Sequence, residues 1–168
     1  SVPRRSGLSP GDTLLGVQMR VIVANDSLDI AGGAQKCAVL SAIGLAERGV
    51  PTTFFSANGE IPPEAQNIPG LTFRNMGWPV EPPSTGRTIR NAWNQAAYDA
   101  MRDEIARGNP AETIVHLHLW AVFLSPSVVR AAQDAGAKVI VSLHDYHAAC
   151  PQGQFFDVRG QYICTRKP

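Results

Sequence analysis

Charge, cysteine and long apolar runs are all scarce in this chain. Charged residues make up 17% of its 168 residues, below the usual share of about 25%, which argues against disordered tails and coiled coils. Neither sign dominates: 15 Lys and Arg face 14 Asp and Glu, for a formal charge of +1. Nucleic acid and anionic membrane surfaces are therefore poor default partners. The three cysteines, Cys37, Cys150 and Cys164, are too sparse for a secreted disulfide scaffold and suit a reducing, cytoplasmic setting. No apolar run approaches the roughly 18 residues that a membrane span needs. Ser1 to Gln18 hold Arg4 and Arg5 but no continuous apolar stretch, so this segment reads as a loose N-terminal extension and not as a signal peptide.

What is present is enough for one domain with its own core. The hydrophobic share is 44%, and a chain of this length buries roughly 70% of the surface its unfolded form exposes. Arg20-Val-Ile-Val-Ala24 has the β-branched, apolar character of a buried strand. A glycine loop ending at Gly33 follows, then a helix from Ala34 to Arg48 that Gly49 stops. Further strands are expected at Thr52–Ser56, at Leu71–Asn75 nearer an edge, at Ile114–Leu119 and at Lys138–Leu143. Between Trp78 and Gly86, Pro79, Pro82 and Pro83 demand a loop. Ile89, Trp93, Ala97, Ala100, Met101 and Ile105 then recur at helical spacing and predict one helix over Thr88–Arg107, about 30 Å long. Ser125-Pro126 opens a shorter helix through Ala135, and a hairpin turns about Val158-Arg-Gly160. Strands alternating with helices give an α/β fold: a Rossmann-like parallel sheet with helices on both faces, occupying residues 19–168. Ligands of such sheets bind outside the carboxyl ends of the strands, which singles out the loops after the first, fourth and fifth strands.

Three loops there carry candidate chemistry. Ala31-Gly32-Gly33-Ala34 lets backbone approach a ligand and opens a helix whose free N–H groups suit an anion. The dinucleotide fingerprint and the Walker lysine are both missing, and a plain tight turn explains the glycines equally. In His116-Leu-His118, strand alternation puts both imidazoles on one face. For His116 a core histidine satisfied by backbone is the simpler reading, whereas His118 lies nearer the cleft. The third loop is His144-Asp-Tyr-His-Ala-Ala-Cys-Pro-Gln-Gly153. A histidine at a strand's carboxyl end can donate to a sugar hydroxyl or phosphate, and Asp145 would orient its ring or cap the turn. His144, His147, Cys150 and Cys164 are of zinc-ligating type but lack C-x-x-C spacing, and a Cys150–Cys164 disulfide is the weaker reading for a reducing compartment. Trp120 and Phe123 serve most simply as cover for the sheet. A nucleophile elbow and a Cys-His protease signature are absent.

Taken in order, Met19-Arg-Val-Ile-Val-Ala-Asn, Gly32-Gly33-Ala34-Gln35, His116-Leu-His118-Leu-Trp before Leu-Ser-Pro, and His144-Asp-Tyr146 followed by Cys150-Pro-x-Gly153 resemble the N-terminal domain of family 4 glycosyltransferases with the GT-B fold. The resemblance spans Met19 to about Cys164. It implies an acceptor-side domain of a retaining transferase that moves a sugar from a nucleotide-sugar donor to a glycan, lipid or small-molecule acceptor. No metal or resident cofactor is implied; the nucleotide sugar is a co-substrate. By position, His144 and Asp145 would be catalytic, and Gly32, Gly33, His118 and Tyr146 would contact substrate. The family's second domain, with its Glu-x7-Glu donor motif, does not appear before Pro168. The chain alone is thus expected to be an inactive half, completed by a donor-binding domain, with an exposed cleft wall open to a homodimer or to peripheral membrane contact. The alternative is a non-catalytic module of the same fold that binds a glycan, nucleotide or protein.

Overall fold

The structure, a computed structural model, describes residues 19–80, 84–146, 150 and 154–163. The expected extension over residues 1–18 lies outside them, as do His147, Pro151, Gly153, Cys164, Pro82 and Pro83. Five strands form one sheet: β1 (Arg20–Ser27), β2 (Thr52–Asn58), β3 (Leu71–Asn75), β4 (Thr113–Leu117) and β5 (Lys138–Val141). Their order is β3-β2-β1-β4-β5, and every pairing is parallel. Helices α1 (Gly33–Glu47), α2 (Thr85–Ala92), α3 (Gln95–Ala106) and α4 (Ser127–Asp134) fill the connections, except that β2 reaches β3 through a 3-10 turn at Pro63–Ala65. Strands β6 (Phe156–Asp157) and β7 (Tyr162–Ile163) make the small antiparallel hairpin. This is the α/β, Rossmann-like arrangement that the alternating pattern implies.

Strand alternation divides the core in two. Val21, Val23 and Phe54 face α1 and meet its Ala38, Val39 and Ala42. Ile22, Ala24, Phe55, Val115 and Leu117 face the other way, against Ala97, Met101 and Ile105 of α3 and Val128 and Ala131 of α4. Small residues on α1 let its axis lie close to the β-branched strands, and each buried Val, Leu, Ile or Phe side chain contributes about 1.5–3 kcal/mol of transfer free energy. Strand β1 stands at the centre, buried on both faces from Val21 to Asn25.

The single helix expected over Thr88–Arg107 is two. The chain breaks at Trp93-Asn94, where Asn94 is extended (φ −113°, ψ 99°) and its side chain accepts from the Ala97 N–H at the start of α3. Asn94 also donates to the Phe123 carbonyl at 2.9 Å, and its own N–H reaches Ser125 Oγ at 2.9 Å. These tertiary bonds, with the cap itself, outweigh the helical bonds lost at the break. The apolar face is real beyond it, with Ala97, Ala100, Met101 and Ile105 buried, but Ile89 and Trp93 are 65% and 44% exposed. Helix α2 also begins at Thr85, inside the segment expected to be loop.

Candidate functional site

Because β1 sits between β2 and β4, the chain leaving β1 crosses to one face through α1. The chain leaving β4 crosses to the other through α4. The divergence opens a crevice at the carboxyl ends of β1 and β4, the switch point where open α/β sheets hold ligands.

Three imidazoles line the β4–β5 side of this edge. Val115 and Leu117 point to the α3–α4 core, so His116 and His118 share the opposite face, with Ile114 against the α1 cluster. Their ring centroids are 4.3 Å apart. The β4–β5 register aligns His116 with Ile140 and Leu117 with Val141, which brings the residues after β5 alongside. His116 Nε2 pairs with Ser142 Oγ at 2.8 Å, and His118 Nδ1 pairs with His144 Nε2 at 2.9 Å. His116 is thus satisfied by a side chain and not by backbone. His118 is thus hydrogen-bonded to His144, the two rings near-parallel at 19° and meeting edge to edge with centroids 5.1 Å apart.

His118 is buried and His144 exposed. Burial, reinforced by the neighbouring His116 and His144, pushes the His118 pKa down to about 4. Burial, then His144, also lowers that of His116. Near pH 7 His118 is therefore a neutral ring with a single N–H to place. Tyr146 is exposed and leans on Phe155 at 4.9 Å between ring centroids. Asp145 is half-buried.

The glycine loop stands at the start of α1. Gly32 caps the helix in extended conformation without a side-chain bond, and the first turn holds no acidic residue. Both glycines are exposed and neither has a positive φ. A Cβ at Gly33 would meet nothing within 4 Å, and one at Gly32 would meet only Gln35 Oε1 at 3.2 Å. Helix–strand packing therefore does not demand these glycines, and the space above Gly33 is open. The close packing falls instead on Gly59, at φ +90°. A Cβ there would lie 2.7 Å from the backbone nitrogens of Leu28 and Asp29.

Several polar residues at this edge went unnoticed in the sequence. Asp26 reaches from β1 into the loop after β4 and accepts from the N–H groups of Val122, Phe123 and Leu124 at 2.8–3.0 Å. Burial raises its pKa, against the opposing pull of those bonds. Asn25 accepts from the Leu119 N–H at 3.0 Å. Among the described residues, three buried side-chain polar atoms lack a partner: Ser56 Oγ, Asn58 Nδ2 and His118 Nε2. All lie toward the carboxyl ends of β2 and β4, on the α1 side of the sheet. No local signal marked them: the apolar strands run on into Asn-Asp-Ser and Ser-Ala-Asn, whose polar residues are of loop type, yet Asn25, Asp26, Ser56 and Asn58 are buried.

On the α3–α4 side a second concavity of about 280 Å³ lies among Trp78, Pro79, Asn91, Asn94 and Phe123. Trp120 and Phe123 pack against the core, in keeping with a covering role. Among the described residues no group of three His, Cys, Asp or Glu is placed to hold a metal ion, and none of the helices is long and apolar enough to cross a membrane. The zinc reading also needs His147 and Cys164, which lie outside those residues. In comparison with known proteins, no family model, curated protein or solved structure matches the chain.

Proposed function

We propose that this chain is the acceptor-side domain of a retaining glycosyltransferase of GT-B type. It would move a sugar from a nucleotide-sugar donor to a glycan, lipid or small-molecule acceptor. The observation that carries the reading is an exposed imidazole, His144, held by a buried one at the carboxyl edge of a parallel sheet. An uncapped, open glycine start of α1 supports it from the same side of the sheet. In this reading His144 hydrogen-bonds the reacting sugar or the departing diphosphate. Asp145 and Tyr146 flank it, and His118 acts behind it. Gly32 and Gly33 let the donor diphosphate or the acceptor approach backbone N–H groups. The principal catalytic contribution is electrostatic stabilisation of the leaving nucleotide diphosphate. A donor-binding second domain would close the cleft.

The test is sugar transfer by the chain joined to a nucleotide-sugar-binding domain, in wild-type and His144→Ala forms, across uridine, guanosine and adenosine diphosphate sugars. The expected loss on His144→Ala is about a hundredfold, the scale of removing one preorganised donor. Equal transfer by both forms would remove His144 from the reaction. No transfer from any donor, with glycan binding to the chain alone by saturation-transfer NMR, would favour the non-catalytic module.

A further inference from the structure

We propose that His118 is a positioning residue that locks His144 in its Nδ1–H tautomer, so that His144 offers the crevice an N–H donor and not a lone pair. The argument begins with the buried ring. A neutral imidazole carries one proton on either of two nitrogens. His118 Nδ1 faces His144 Nε2 at 2.9 Å, whereas His118 Nε2 is buried with no partner among the described residues. Placing the proton on Nε2 would bury an unpaired N–H, the costlier of the two orphans. The proton therefore sits on His118 Nδ1 and is donated to the lone pair of His144 Nε2. His144, when neutral, must carry its own proton on Nδ1.

This reverses the preference of histidine in water, which favours Nε2–H, so the assignment is not what an isolated side chain would give. The two rings lie near-parallel, 19° apart, and meet edge to edge with centroids at 5.1 Å, while His116 packs tilted by 45° against His118 at 4.3 Å; these contacts fix the plane in which the bond is made. Among the described residues the nitrogen that faces His144 is engaged by that ring alone, since His116 pairs through its Nε2 with Ser142 Oγ. The target of the His144 N–H rests on the transferase reading: a sugar hydroxyl or diphosphate oxygen, both acceptors. The tautomer itself does not rest on that reading and can be measured without substrate.

The experiment is two-bond ¹H–¹⁵N correlation NMR of the uniformly ¹⁵N-labelled chain near pH 7.5, in wild type, His118→Phe and His118→Asn. Wild type should show His144 with a protonated Nδ1 and an unprotonated Nε2. His118→Phe keeps a ring but removes the donor, so His144 should change over to Nε2–H. His118→Asn sets an amide N–H where Nδ1 stood and should restore the wild-type pattern. A merely space-filling His118 would give the opposite ranking, with Phe the better substitute. His144 protonated on Nε2 in wild type overturns the proposal whatever the variants do, including a His118→Phe that fails to fold. Nδ1–H on His144, in a chain that transfers no sugar when joined to a nucleotide-sugar-binding domain, would keep this assignment and discard the transferase reading.

Discussion

Replacing His118 by Phe should make the protein more resistant to acid. The wild-type ring is buried and kept neutral, its pKa pushed from 6.5 down to about 4 by burial and by His116 and His144. In the unfolded chain the same ring takes up a proton near pH 6.5, which the folded state refuses. The stability tied to its neutrality is thus whole above that pH and is lost as pH falls toward 4. Between pH 7.5 and pH 4.5 the loss amounts to about 2.5 kcal/mol, a large share of the stability of a domain this size. His118→Phe has no proton to take up and also removes the orphaned Nε2. Urea unfolding of both proteins at the two pH values reads the difference directly. The gap between variant and wild type should move by about 2.5 kcal/mol in the variant's favour on acidification. His116, lowered in the same direction, acts in both proteins. Parallel loss of stability in the two would show that His118 is not held neutral, and the argument from burial would fail.

Three further outcomes follow from the same edge of the sheet. Gly59→Ala should cost about 3 kcal/mol or more, because the residue is at φ +90° and a Cβ would press on two backbone nitrogens; a loss under about 1 kcal/mol in urea unfolding would refute the close contact. Gly33→Ala, by contrast, enters open space in a helical turn and should raise stability by about 0.5 kcal/mol, with destabilisation in the same assay contradicting it. Asp26→Asn should destabilise by about 2 kcal/mol, since its carboxylate serves three N–H groups with two oxygens and an amide can accept through only one. An unchanged unfolding midpoint would mean that the loop after β4 is held by other contacts.

The elements that build the sheet were legible because each carries its own signal. Val-Ile-Val at β1 and β5, and the bounds of β3, come from local β-branched and apolar residues. Alternation alone put His116 and His118 on one face. The break at Asn94 was not legible, because its bonds come from Phe123 and Ser125, about thirty positions away. Nor did β1 and β2 announce their last residues. Asn25 and Asp26 look like loop until their partners, more than ninety positions along, are known. The pairing of His118 with His144 needs the β4–β5 register, a property of the assembled sheet. The glycines of the loop before α1, Gly32 and Gly33, are sterically open, whereas Gly59, pressed against backbone at positive φ, stands in no motif.

The central place of β1 has a consequence for how the protein is made. Its first residue, Arg20, pairs with Thr113 across 93 positions, whereas its other neighbour, β2, follows directly after α1. A nascent chain that has emerged only through α3 can assemble β1, β2 and β3 but leaves one rim of β1 unpaired. That rim is closed only when β4 leaves the ribosome. Such non-local pairing folds slowly and exposes strand edges in the meantime. Synthesis pauses before residue 113, or chaperone capture of the open β1 rim, should therefore change the yield of native protein.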